Sequence, residues 1–120
     1  MIDILLATYN GEKYIEQQID SIRCQTYCDW QLLIHDVGST DNTIDLVKNL
    51  SLRDSRIKLI EDGVVHLGVA KHFIHLLKYS TSPFVMFCDQ DDIWLENKVE
   101  RMFSVIAKQD STIPQVVYSN

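Results

Sequence analysis

Short apolar runs alternate along the whole chain with segments whose apolar residues recur at helical spacing, and that alternation dictates a sheet layered with helices. Ile4-Leu5-Leu6-Ala7 stops at the polar, turn-prone Thr8-Tyr9-Asn10-Gly11 and reads as a buried first strand. Ile15, Ile19 and Ile22 then follow at i, i+4 and i+7, the stripe of a helix packed on a sheet. Trp30 to His35 makes a second strand, and Ile44, Val47 and Leu50 the apolar face of a second helix, with capping chemistry from Ser39, Thr40 and Asp41. Ile57 to Ile60 is a third strand. Asp62-Gly63 and Gly68 mark a loop before a third helix carrying Val69, Phe73, Leu76 and Leu77 on one side.

After Pro83, the continuous run Phe84-Val85-Met86-Phe87-Cys88 suits a strand covered on both faces. A fourth helix follows on Val99, Met102, Phe103 and Ile106, and Val116-Val117-Tyr118 begins a last strand after Pro114. Such a chain predicts right-handed crossovers and a mostly parallel sheet. Its 120 residues are one domain with one core.

Ligands of an open parallel sheet bind beyond the carboxyl ends of its strands. Three polar groups fall on that rim: Thr8-Tyr9-Asn10, Asp36-Val37-Gly38-Ser39 and Asp89-Gln90-Asp91-Asp92. Three carboxylates within four residues repel one another, and a hard divalent cation offsets them. Mg²⁺ or Mn²⁺ uses one or two carboxylates and completes its shell with water and substrate phosphates, which makes a diphosphate site. The alternative is that Asp91 or Asp92 caps the following helix while Asp89 is solvated. Asp36 can accept hydrogen bonds from a base or ribose, and Lys71 either reaches a phosphate or stays a solvated surface lysine. His72 and His75 have the spacing of some metal pairs, or one of them packs beside Phe73 and Leu76 without a metal. Trp94 is either a packing residue or a platform for a sugar.

The net charge of −6, with no cluster of Lys and Arg, excludes a nucleic-acid backbone as the partner. Cys24, Cys28 and Cys88 lack paired metal-type spacing and read as reduced thiols, the first two semi-buried near the end of the first helix. No basic region precedes the first apolar run and no stretch approaches the roughly 20 apolar residues of a membrane-spanning helix. The expected location is the cytoplasm, either free or peripheral at the inner face of the plasma membrane.

Taken together, Leu5 to Gly11, the Gly38-Ser39-Thr40-Asp41-Asn42-Thr43 turn and Asp89-Gln90-Asp91-Asp92-Ile93-Trp94 closely resemble glycosyltransferase family 2, with its GT-A fold. The Asp-Gln-Asp-Asp-Ile-Trp form is similar to bacterial transferases that build cell-surface polysaccharides, rhamnosyltransferases among them. The resemblance implies a three-layer α/β/α domain in which Thr8, Tyr9 and Asn10 line the nucleotide pocket, with Asp36 near the base. It implies that Asp89 and Asp91 form an Asp-x-Asp motif for Mn²⁺ or Mg²⁺, Asp91 as direct ligand and Asp89 nearer the ribose or a metal-bound water. The donor would be a UDP- or dTDP-sugar, the acceptor a glycan or a lipid-linked saccharide, and the transfer inverting.

Two departures carry expectations of their own. Val37 stands where the family usually has a second acid, which predicts weakened nucleotide recognition. The chain also stops at Tyr118-Ser119-Asn120, before the segment that supplies the family's acceptor pocket and general base. The expectation is a partial transferase that binds donor with little or no transfer. A phosphorelay receiver domain is the rival of similar length, but it needs acids after the first strand, where Thr8-Tyr9-Asn10 stands. A non-catalytic module is the other rival, and apolar surface left by a missing half would favour a homo-oligomer.

Overall fold

A computed structural model of the chain describes residues 1–63, 69–88, 93–106 and 115–117. The elements follow the alternation of the sequence: β1 (Ile2–Thr8), α1 (Ile15–Arg23), β2 (Trp30–Asp36), α2 (Thr43–Arg53), β3 (Ile57–Leu59), α3 (Val69–Leu77), β4 (Phe84–Cys88), α4 (Lys98–Ile106) and β5 (Gln115–Val117). The strands form one sheet in the order β3-β2-β1-β4-β5, and every pairing is parallel. The winding reverses between β1 and β4, so the crevice of an open sheet lies at their carboxyl ends.

Period-two alternation divides the strands between two cores. Ile2, Ile4 and Leu6 of β1 share one face with Trp30, Leu32 and Ile34 of β2 and with Met86 and Cys88 of β4. That face is covered by Ile15, Ile19 and Ile22 of α1, Val47 and Leu50 of α2, Trp94 from the segment before α4, and Val99 of α4. The opposite face is thinner: Leu5, Leu33 and Val85 pack under Leu76 of α3, and Phe73 meets Phe87 edge to face with ring centroids 5.1 Å apart.

β1 starts two residues before the apolar run because Asp3, although buried, is fully engaged. Its carboxylate accepts hydrogen bonds from the Ser80 and Ser82 hydroxyls and the Thr81 and Ser82 amides. A buried acid with four donors costs the strand little. Gln25 plays a similar part on the other face, donating to the carbonyls of Ser21 and Leu95 and accepting from the Val99 amide.

Three expectations are corrected. Leu77 is 37% exposed, and the inward position expected of it is held by the fully buried His72, whose ring has a partner in β2. Cys24 and Cys28 are exposed, since the inward positions around the α1–β2 connection are taken by Ile22, Gln25 and Trp30. Ile44 is half-buried, and Thr43 rather than Ile44 joins Val47 and Leu50 on the buried face of α2. The side chains of Val69, Phe103 and Ile106, and residues Gly68, Asp89, Gln90, Asp91, Asp92, Pro114 and Tyr118, lie outside the described residues. Among the described residues no helix is long and apolar enough to cross a membrane.

Candidate functional site

Parallel register brings the ends of β1 and β2 level, with Thr8 opposite Asp36. The buried Thr8 hydroxyl donates to Asp36 Oδ1 at 2.8 Å. Asp36 is 8% exposed and takes three further donors: the Ser39 hydroxyl at 2.7 Å on Oδ1, and the Gly38 and Ser39 amides at 2.9 and 2.6 Å on Oδ2. Gly38 has φ 123°, a conformation that suits only glycine, and it lets the chain fold back so that both amides face the carboxylate.

A second layer of bonds ties the loop after β1 to the loop after β2. The Asn10 amide donates to the Ser39 hydroxyl and the Thr40 amide donates to Asn10 Oδ1, both at 2.8 Å. Asn10 adopts φ 46°, which asparagine tolerates better than most residues. The Gly11 amide donates to the Thr43 hydroxyl at 2.8 Å, and that hydroxyl donates to Asp41. Glu12 and Asn42 close the ring, the Glu12 amide on Asp41 and the Asn42 amide on Glu12, each at 3.2 Å. Of the expected capping residues, Asp41 takes the Thr43 amide at the start of α2, whereas Ser39 and Thr40 serve the inter-loop clip. Desolvation raises the Asp41 pKa, but the bonds from Thr43 and Glu12 outweigh it and hold the carboxyl below its ordinary value.

Beside this clip a cleft of about 330 Å³ opens between the ends of β2 and β3. Asp36, Gly38 and Ser39 form one side, Leu59 and Ile60 an apolar wall, and Asp62 the far rim. A mostly apolar hollow with a few fixed polar groups is the usual form of a small-ligand site.

Of the sequence-predicted residues, Asp36 lines the cleft. Thr8 is buried behind it, Tyr9 is 48% exposed, and Asn10 is exposed on the clip. Lys71 is exposed on α3 and pairs with no described carboxylate. Asp89 and Asp91 fall outside the described residues, directly after the buried Cys88, whose sulfur receives the Gln18 side-chain amide at 3.2 Å. Trp94 is a packing residue: it is buried in the core, its amide donates to the Ser21 hydroxyl at 3.1 Å, and Lys98 Nζ lies 4.4 Å from its ring centroid.

The sequence reading missed the partner that joins His72 and His75. His35, at the end of β2, lies with its ring centroid 4.5 Å from His72 and 5.0 Å from His75. Burial, and then the neighbouring His35 and His75, push the His72 pKa below its ordinary value, against the weaker opposite pull of Asp36 and Asp62. One histidine, His72, does pack inward beside Phe73 and Leu76, as the spacing allowed. His35 and Asp62 carried no local signal, because they stand 27 residues apart in the chain.

The family model for glycosyl transferase family 2 matches residues 3–120. The chain is 39% identical over 110 residues to UDP-Glc:alpha-D-GlcNAc-diphosphoundecaprenol beta-1,3-glucosyltransferase WfgD of Escherichia coli, covering 92% of this chain and 42% of that protein. It is 38% identical over 99 residues to the dTDP-rhamnosyl transferase RfbG of Shigella flexneri, covering 79% of this chain and 34% of that one. The chain thus spans well under half the length of these relatives. Among solved structures, TarS 1-349 of S. aureus in complex with UDP-GlcNAc matches with a TM-score of 0.79 at 25% identity, over 89% of this chain and 31% of that one. The mannosyltransferase PcManGT of Pyrobaculum calidifontis, in complex with GDP-Man and Mn²⁺, matches with a TM-score of 0.71 at 26% identity, over 78% and 28%. The parallel sheet with helices on both faces is the GT-A fold. With the family match running through all three strand-end loops, the chain belongs to glycosyl transferase family 2.

Proposed function

We propose that this chain is a single nucleotide-sugar-binding domain, the donor-binding part of a metal-dependent transferase that moves a sugar from a nucleoside diphosphate to a glycan or lipid-linked acceptor in cell-surface polysaccharide synthesis. The observation that carries the reading is the clipped pair of loops around Thr8 and Asp36. It is a rigid polar rim at the carboxyl end of a parallel sheet, beside a cleft sized for a small ligand. The relatives' names support a donor of the UDP or dTDP type.

In this reading Tyr9 and Asn10 offer the exposed surface of the pocket, while Thr8 and Asp36 hold its wall from beneath, with Asp36 nearest the base. Lys71 serves the phosphate side. Asp89 and Asp91 continue from β4, which borders β1 at the point where the winding reverses, and an all-oxygen donor pair suits a hard divalent cation. Asp91 would be the direct ligand of Mn²⁺ or Mg²⁺, and Asp89 would serve the ribose or a metal-bound water. Such a cation, when bound, neutralises the departing nucleoside diphosphate. The acid that deprotonates the acceptor is assigned to none of these 120 residues.

A thermal-shift panel of nucleoside diphosphates with and without Mn²⁺ tests the proposal. UDP or dTDP raises the melting temperature only with the metal, and Asp91→Asn removes the shift. A panel in which no nucleotide shifts the transition sinks the reading.

A further inference from the structure

The sheet face opposite the Thr8–Asp36 pair carries a cluster with a different chemistry. His35 comes from the end of β2, Asp62 from the loop after β3, and His75 from α3. One ligand atom from each lies within 4.8 Å of the other two. Asp62 Oδ1 is 2.9 Å from His35 Nε2, and Asp62 Oδ2 meets His75 Nε2. We propose that His35, Asp62 and His75 form a binding site for a transition-metal ion of the zinc class, separate from the acidic motif that follows β4.

The donor set argues for that class. Two imidazole nitrogens and one carboxylate oxygen suit Zn²⁺ and its neighbours in the first transition row, whereas Mg²⁺ and Mn²⁺ favour oxygen. A tetrahedral ion about 2.0 to 2.1 Å from each donor holds its ligands roughly 3.3 Å apart. The His35–Asp62 separation of 2.9 Å therefore opens by about 0.4 Å, while the widest spacing in the set, up to 4.8 Å, closes toward the same value. The freedom to do so lies on two of the three residues, since the side chains of His75 and Asp62 are 16% and 19% exposed while that of His35 is 2% exposed.

The surroundings already hold the ligands in pose. His35 Nδ1 faces Nδ1 of the fully buried His72, so a His35 ring coordinating through Nε2 has an acceptor for its remaining proton. The Tyr79 hydroxyl donates to Asp62 Oδ2 at 2.8 Å and steadies the carboxylate. His35 and Asp62 also line the 330 Å³ cleft, so a fourth coordination position opens toward solvent for water or a ligand oxygen.

The test is calorimetric titration of the chelator-stripped chain with Zn²⁺, together with Co²⁺ absorption as a reporter of low-coordinate geometry. One equivalent binds, with a strong visible Co²⁺ band. His75→Gln and Asp62→Asn each weaken binding by about tenfold or more. The double variant Asp89→Asn/Asp91→Asn leaves it unchanged. His35 is left intact because it is buried, and circular dichroism confirms that the tested variants are folded. The proposal is overturned if Zn²⁺ does not bind, or if binding survives His75→Gln and disappears in the Asp89/Asp91 variant. No nucleotide is present in the titration, so failure here leaves the donor-site reading standing, and failure of that reading leaves this one standing.

Discussion

Thr8 and Asp36 end neighbouring strands at the same level, and the hydrogen bond between them at 2.8 Å joins the β1 and β2 rims into one wall. The Asp36 carboxylate is thereby a structural hub, receiving four protein donors. Asp36→Asn replaces one acceptor oxygen by an NH₂ group that faces donors. Leaving such buried groups unsatisfied costs about 1–3 kcal/mol. Urea unfolding is expected to show that loss, and nucleotide affinity is expected to fall with it as the Gly38–Ser39 turn relaxes. An unchanged midpoint would show that the turn holds itself.

Val37 sits in this turn with its amide donating to the Thr8 carbonyl at 2.8 Å, so its backbone position is set whatever the side chain. Val37→Asp keeps that backbone bond and puts an acceptor at a residue only 9% exposed, so the added carboxylate costs folding stability in the free protein and gains its donor from a bound nucleotide. A gain of about 1 kcal/mol in UDP or dTDP affinity, roughly fivefold, is expected from one such bond. Calorimetry that finds every sugar nucleotide bound equally by both forms would remove Val37 from the account of recognition.

Leu76 is the fully buried side chain of α3 in the second core, packed between Leu5, Leu33 and Val85. Among the described residues the core there is thin, with four buried apolar side chains, of which Leu76 is the one from a helix. Leu76→Ala is expected to cost about 2–5 kcal/mol, and the loss should be read as a lower melting temperature. The exposed neighbour Leu77, changed in the same way, serves as the control and should cost under about 1 kcal/mol.

Asp54, between α2 and β3, holds Arg56 through both carboxylate oxygens, at 3.0 Å to Nε and 2.8 Å to Nη2. Those hydrogen bonds, together with the charges of Arg56 and Arg23, outweigh its desolvation and lower its pKa to about 2. A depressed carboxylate pKa stabilises the folded state fully above the unfolded value near 3.8, and that stability is lost as pH falls toward 2. The shift corresponds to at most about 2 kcal/mol, less for solvent screening at the partly exposed Arg56. Denaturation from pH 5 down to pH 2 should show this limb, and Arg56→Met should flatten it.

Nearly every element was legible in advance, because apolar periodicity reports which face of a strand or helix is buried. Ile15, Ile19 and Ile22 were all placed correctly. The errors fell where polar side chains replaced apolar ones in the core. Asp3 hid the start of β1, and His72 displaced Leu77 from the inner stripe, because each is satisfied by residues distant in sequence. The strand-end motifs after β1 and β2 were legible as motifs, but not as the network that joins them. That Asn10 would hold Thr40, or that His35 would meet Asp62 and His72, depends on register and crossover geometry that no local pattern encodes.

The Asp3 clamp on Ser80, Thr81 and Ser82 acts at the far end of the sheet from the rim, yet it governs that rim. By gripping the chain just before it enters β4, it sets where the fourth strand begins to run beside the first, with Ile2 opposite Phe84. A slip of one residue would turn Met86 and Cys88 to the wrong side of the sheet. It would also shift, by one step, whatever the strand delivers beyond Cys88. An aspartate at position 3 thus works as the zero mark of a ruler whose other end is read at Cys88, opposite Leu6.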